Sequence, residues 1–227
     1  MFGRRDKDAV AESTAAEAVA PGTGPYDAAN APVEDGIQRL DLGSLLLPAL
    51  ADLELRMQAN DDGSIAAVII ASPDSALQLG VFAAPRTESI WDEVRADIAE
   101  SVIGDGGKTE EAEGEFGTEL IARVPTPEGL AELRFIGVDG PKWFLRGLFQ
   151  GKAVTDEAAA EPLVEALRHL VVVRDREARP VREPLPLRLP KEFAEQAAQQ
   201  QAAQAAQEAA QQSGGTERRP SPNPRTT

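Results

Sequence analysis

A predicted β-hairpin at residues 130–151 constrains the fold of this chain more than any other stretch. It reads LAELRFIGVDGPKWFLRGLFQG, and Asp139, Gly140 and Pro141 divide it into two arms. Gly and Pro favour tight turns, whereas Phe, Trp, Val and Ile favour extended strands. The stretch therefore predicts a hairpin at the centre of an antiparallel sheet.

The parity of the second arm predicts which of its side chains enter the core. Successive side chains of a strand point to opposite faces. Trp143, Leu145 and Phe149 therefore share one strongly apolar face, and we expect this face to pack against the helices. The residues predicted to form the structural core are Trp91, Trp143, Leu145 and Phe149.

Hydrophobic periodicity predicts the remaining elements. Alternation predicts three strands between residues 53 and 81, a fourth at 120–124 and a short one at 171–173. A helical period predicts amphipathic helices at 88–103 and 154–170. We expect an α+β fold with a mostly antiparallel sheet of about six strands and both helices on one face. This order is similar to that of type III secretion chaperones.

Changes in composition predict three regions. Residues 1–36 lack periodic bulky apolar side chains, which predicts a disordered N-terminal tail. Residues 37–190 hold the dense aliphatic runs and are expected to form a single α+β domain. Residues 191–227 begin with an Ala/Gln-rich stretch, which predicts a helical or disordered C-terminal tail.

Charge and rare residues exclude several classes of function. The formal net charge is −15, which disfavours binding to nucleic acid or to anionic membranes. The chain has no cysteine and one histidine, His169, so thiolate metal sites and cysteine nucleophiles are excluded. No apolar run approaches the roughly 18 residues that a membrane span requires, and we expect a cytoplasmic protein.

One group of cationic side chains is the candidate ligand or partner patch. It consists of Arg123, Arg134, Lys142 and Arg146. If the strand of Arg123 neighbours the hairpin, the four could line one sheet face and bind an anionic ligand or an acidic segment of a partner. The alternative is that they pair with nearby carboxylates on a solvated face.

Several phrases of the sequence resemble a known family. They are the start MFGRR, RFIGVDGPKWFLRGLFQGKA at 134–153, HLVVVRD at 169–175 and EPLPLRLP at 183–190. Together they resemble an actinobacterial family of unknown function whose genes often lie near a dUTPase gene. The resemblance covers the N-terminal tip and about residues 37–190. It implies no catalytic residues, and the gene neighbourhood implies a link to nucleotide metabolism.

These observations favour a non-catalytic protein-interaction or chaperone-like module without a cofactor. No nucleophile with a nearby base and no metal-ligand spacing is visible in the sequence. We expect a protein partner, with the chain acting as a monomer or a homodimer. The alternative is an accessory protein or enzyme of nucleotide metabolism that binds a phosphate-bearing ligand on the cationic sheet face.

Overall fold

The computed structural model describes residues 24–32, 35–60, 62, 64–127 and 129–190 of the 227-residue chain. Those up to residue 188 belong to one compact unit, and a second unit, 189–227, is described only at residues 189 and 190. The predictions for residues 1–23 and 191–227, which include the MFGRR start and most of both tails, lie outside the described residues.

The described chain contains eleven strands, two α-helices and a 3-10 turn at Lys152–Val154. In chain order they are β1 (Tyr26–Asp27), β2 (Arg39–Asp41), β3 (Leu45–Pro48), β4 (Glu54–Ala59), β5 (Ile65–Ser72), β6 (Ser75–Ala83), α1 (Trp91–Gly104), β7 (Lys108–Gly114), β8 (Gly117–Thr126), β9 (Gly129–Gly140), β10 (Trp143–Gly151), α2 (Glu157–Arg168) and β11 (Val171–Val172).

The larger sheet is fully antiparallel and has the order β4-β5-β6-β10-β9-β8-β7. Its middle strand is β10, which pairs with β9 from Trp143 opposite Gly140 to Phe149 opposite Arg134. The predicted central hairpin is therefore confirmed. Both arms are rich in β-branched and aromatic residues, which pack well on a pleated surface.

A smaller sheet has the order β1-β11-β3-β2, and β1 runs parallel to β11. Residues 24–32 belong to this part of the fold, although the sequence predicts a tail through residue 36. The indole Nε1 of Trp143 donates a hydrogen bond of 2.8 Å to Asp27 Oδ2. This bond fastens the N-terminal stretch to the central hairpin.

The two helices cover opposite faces of the larger sheet. Leu163 and Leu167 of α2 lie in the main core with Leu145 of β10 and residues of the smaller sheet. On the other face, Trp91 of α1 packs with Phe144 of β10. The predictions of one sheet of about six strands and of both helices on one face are wrong. The central strands carry large apolar side chains on both faces, so each face needs its own cover.

Two features of β9 determine how α1 begins on the sheet. A Cβ at Gly137 would lie 2.2 Å from the Trp91 ring, so the indole can rest on β9 only because position 137 is glycine. Asp139 accepts hydrogen bonds from the backbone N–H groups of Ile90, at 3.0 Å, and Trp91, at 3.3 Å. The hairpin thus caps the helix that covers it. Neither described helix has the length and apolar character that a membrane crossing requires.

Candidate functional site

The structure does not bring the four predicted cations onto one face. Directly paired residues of neighbouring strands point to the same side of a sheet. Arg134 pairs with Phe149 on the face toward α2, whereas Arg146 pairs with Gly137 on the face toward α1. The register of the two strands thus places the cationic positions of β9 and β10 on opposite faces. The single patch is therefore not formed.

Two of the four cations are paired with carboxylates. Arg123 Nε lies 2.7 Å from Glu132 Oε1 across the pairing of β8 with β9. Arg134 Nε lies 2.8 Å from Glu119 Oε2, and its guanidinium lies 4.5 Å from the centre of the Phe149 ring. These two residues match the alternative interpretation, in which the cations pair locally. Arg134 also packs on an aromatic ring, whereas Arg123 lies on the exposed surface of the sheet.

Lys142 lies apart from the other three. It occupies the turn between β9 and β10, with an exposed side chain and a positive φ of 68°. Its carbonyl oxygen accepts hydrogen bonds from the backbone N–H of Ala84 and from Arg174 Nε. Lys142 thus holds the neighbouring segments together through its backbone carbonyl oxygen.

Glu119 is an acidic side chain buried under α2. Only 6% of the side chain is exposed, and its Oε1 has no hydrogen-bond partner among the described residues. Burial raises the pKa of the Glu119 carboxyl; the nearby Glu115 raises it further, and Arg134 opposes the shift. Glu119 is therefore a candidate for pH-dependent stability.

A groove between α1 and the larger sheet is the candidate ligand site, and we call it the α1 groove. Its volume is about 470 Å³. Phenylalanines from three strands form the floor, and aliphatic side chains of α1 form one wall. The lining residues are Phe82, Val94, Asp97, Ile98, Ser101, Val102, Phe135, Phe144, Arg146 and Arg182.

Arg146 is the cation inside the α1 groove. Its guanidinium lies 5.4 Å from the centre of the Phe82 ring, a cation–π contact. Within the part of the chain that the structure describes, its side chain has no hydrogen bond or ion pair. Burial lowers the pKa of Arg146, and no neighbouring carboxylate offsets this effect. Arg146 stays charged at neutral pH because the arginine pKa is so high.

Arg182 belongs to the proline-rich segment at residues 180–190, and its side chain lines the groove. Arg182 Nη1 lies 2.8 Å from Asp97 Oδ2, and Nη2 lies 3.0 Å from Glu93 Oε2, both on α1. The backbone of Arg182 has a positive φ of 69°, and its N–H donates to the carbonyl of Ala83. Arg182 therefore links β6 to α1, with its charge compensated by two carboxylates.

The four predicted core residues are all buried. Trp143, Leu145 and Phe149 lie in the main core, and Trp91 lies beside the α1 groove. Parity along β10 places Phe144 and Arg146 together on its opposite face. It gave no signal that α1 would cover this face, because both helices show the same kind of apolar stripe.

Two observations concern metal ligands and the single histidine in the described ranges. These contain no group of three His, Cys, Asp or Glu side chains arranged to hold a metal ion. His169 follows α2, and its Nε2 lies 2.9 Å from Glu165 Oε1. Its carbonyl oxygen accepts a hydrogen bond from Arg39 Nε. These contacts join the end of α2 to β2.

The fold and the groove define an α+β protein with a seven-stranded antiparallel sheet and a cationic site between sheet and helix. Residues 24–196 match the model of a family described as protein of unknown function (DUF3710), and the chain belongs to this family. The expected membership in a family of unknown function is thus confirmed. Searches of curated proteins and of solved structures found no match.

Proposed function

We propose that this protein is a non-catalytic binding module whose ligand site is the α1 groove. The observation that carries the proposal is a cavity of about 470 Å³ with an apolar floor of three phenylalanines, Phe82, Phe135 and Phe144. Ligand sites for small molecules typically have volumes of about 300–1,000 Å³ and a mostly apolar lining with a few polar groups. The groove has both properties.

The small size of the groove favours a small apolar molecule over a folded protein surface. Stable protein interfaces bury roughly 800 Å² on each partner and are comparatively flat. The α1 groove is instead concave, and Val94 and Ile98 line it together with the phenylalanines of the sheet. A small apolar ligand in the groove would exchange its contact with water for contact with these side chains.

A groove-filling variant tests this proposal. Nile red, a neutral dye whose fluorescence rises in apolar surroundings, is titrated into the wild-type protein and into Ser101→Trp. Ser101 is exposed and lines the groove, so the indole is expected to fill it and weaken dye binding by roughly tenfold or more.

The matched control is Glu100→Trp, because Glu100 is the exposed neighbour on α1 and does not line the groove. It should bind the dye as the wild type does. Thermal melting of all three proteins checks that the fold is retained. Equal dye affinity in Ser101→Trp and wild type would place binding elsewhere and refute the proposal.

A second candidate keeps the protein-interaction or chaperone-like role, with a second copy of this chain as the partner. Among the described residues, the edge strands β4 and β7 each pair with one neighbour only. Edge strands can pair with another chain. β7 carries three glutamates and one lysine and would repel a copy of itself, whereas β4 has one Glu and one Arg.

This second candidate predicts a dimer through β4. Sedimentation equilibrium at increasing protein concentration should show the dimer in the wild type and a monomer in Arg56→Pro, because proline removes a backbone donor from the strand. Circular dichroism checks that the variant is folded. A wild-type protein that stays monomeric at every concentration would remove this candidate.

A further inference from the structure

We propose that the α1 groove binds a small hydrophobic monocarboxylate, whose carboxylate pairs with Arg146 and whose hydrocarbon body lies against Phe82, Phe135 and Phe144. This inference rests on the proposed function of the groove and adds the chemical class of the ligand. It rests on three observations of Arg146. The side chain lies in the groove, it is partly buried, and it has no ion pair or hydrogen bond among the described residues.

The first step concerns the cost of burying Arg146. A charged side chain taken out of water without a partner destabilises the folded state. Arg146 is partly buried, and its side chain has no ion pair or hydrogen bond among the described residues, whereas Arg123, Arg134 and Arg182 all contact carboxylates. A bound anion would supply the missing charge.

The second step concerns the geometry of the guanidinium group. The central carbon of the Arg146 guanidinium lies over the Phe82 ring, 5.4 Å from the ring centre. This cation–π contact provides no oxygen acceptor, and the N–H donors of Arg146 make no hydrogen bond to the described residues. These donors match the two oxygens of a planar carboxylate. Phe144, whose ring centre lies 6.2 Å from that of Phe82, continues the apolar surface for the ligand body.

The third step concerns the number of charges that the groove can accept. Arg182 is compensated by Asp97 and Glu93, so among the described lining residues Arg146 supplies the one uncompensated positive charge. A monoanion matches this charge. A nucleotide polyphosphate would bring several negative charges close to Asp97 and Glu93 in a chain with a net charge of −15. This balance disfavours the phosphate-bearing ligand of the alternative function.

Displacement of Nile red from the full-length protein tests the ligand class. The competitors are octanoate, its neutral analogue octanamide, and deoxyuridine triphosphate. Octanoate is expected to displace the dye with an affinity roughly tenfold higher than that of octanamide, because only octanoate forms the charged pair. Deoxyuridine triphosphate is expected to leave the dye bound.

Variants of Arg146 test whether its charge causes the preference for octanoate over octanamide. Arg146→Met removes the charge and leaves an unbranched side chain, so octanoate and octanamide should displace the dye with equal affinity once each is corrected for the affinity of this variant for Nile red. Arg146→Lys keeps the charge and should retain part of the preference. The matched control Arg123→Met removes an exposed cation outside the groove and should behave as the wild type does.

The outcomes separate the two proposals. If Nile red binding is insensitive to Ser101→Trp, the proposed function itself fails. If the dye binds in the groove but octanoate and octanamide compete equally, or if Arg146→Met keeps the preference, the monocarboxylate inference is overturned while the binding module stands. Stronger competition by deoxyuridine triphosphate than by octanoate would also overturn it, in favour of a phosphate-bearing ligand.

Discussion

At the scale of single residues, glycines in the central hairpin give the tryptophans room. A Cβ at Gly137 would lie 2.2 Å from the ring of Trp91, and a Cβ at Gly140 would lie 2.1 Å from the ring of Trp143. Neither glycine has a positive φ, so space, and not backbone conformation, requires glycine at these positions. The indole of Trp91 rests directly on the backbone of β9 as a result.

Replacement of Gly137 by alanine should therefore destabilise the protein. The added methyl group must displace the ring of Trp91, and such overpacking costs about 1–3 kcal/mol. Urea unfolding measures the loss. The matched control is Gly104→Ala at the end of α1, where an added Cβ meets no atom within 4 Å. The control should be neutral or slightly stabilising, and an equal loss in both variants would contradict the steric explanation.

The burial of the hairpin side chains could be predicted from the sequence, but the need for glycine at position 137 could not. Parity within one strand depends on local geometry alone, and the burial of Trp143, Leu145 and Phe149 follows from it. The need for glycine at position 137 depends on a helix 46 positions earlier in the chain. Such a requirement is invisible until the two elements are placed together.

At the scale of elements, the predictions that failed concern two things: the register between strands, and the sheet face that each helix covers. The sequence predicts two amphipathic helices and a central hairpin, because each has its own periodicity. It does not fix which face of the sheet each helix covers, since both faces of β10 are apolar. The short strands of the smaller sheet, such as β3 with the sequence LLLP, lack the alternation that would predict a half-buried strand.

The buried Glu119 of β8 leads to a prediction about the pH dependence of stability. Its folded-state pKa is raised above the ordinary value of 4.5, so the folded state holds the proton more tightly than the unfolded state does. Its contribution to stability is therefore fully present below pH 4.5 and is lost as the pH rises through the raised pKa. The wild type should lose stability relative to Glu119→Gln as the pH rises from below 4.5 to neutral.

A carboxyl with the opposite shift provides the control. The hydrogen bond from Arg56 lowers the pKa of the exposed Glu54, so the stability that Glu54 contributes is lost as the pH falls. The wild type should therefore gain stability relative to Glu54→Gln as the pH rises. Thermal melts of the three proteins across this pH range measure both differences. The same slope for both variants would show that the burial of Glu119 is not the cause.

At the scale of the whole molecule, the larger sheet separates two environments. On one side, α2 and the smaller sheet close a core that contains the largest buried cluster of the described residues. On the other side, α1 covers only part of the sheet and leaves the α1 groove beside it. Because one face holds the main core, the other face can carry Arg146, whose side chain has no ion pair among the described residues.

The candidate site depends on long-range packing at this scale. Arg146 was among the residues singled out from the sequence, but its expected neighbours were Arg123, Arg134 and Lys142. In the structure it faces Phe82 of β6 and lies in a groove shared with α1 and Arg182. Positions this far apart in the chain come together only through the strand order β6-β10-β9. No local sequence pattern predicts such a strand order.

Nuclear magnetic resonance of the arginine side chains tests the role of Arg146 most directly. The Nε–Hε signal of Arg146, assigned by its loss in Arg146→Lys, is followed during titration of octanoate into the isotope-labelled protein. It should shift saturably, while the Nε–Hε signal of Arg123 stays in place. An Arg146 signal that does not move, or that moves no more than that of Arg123, would contradict the binding of a carboxylate in the α1 groove.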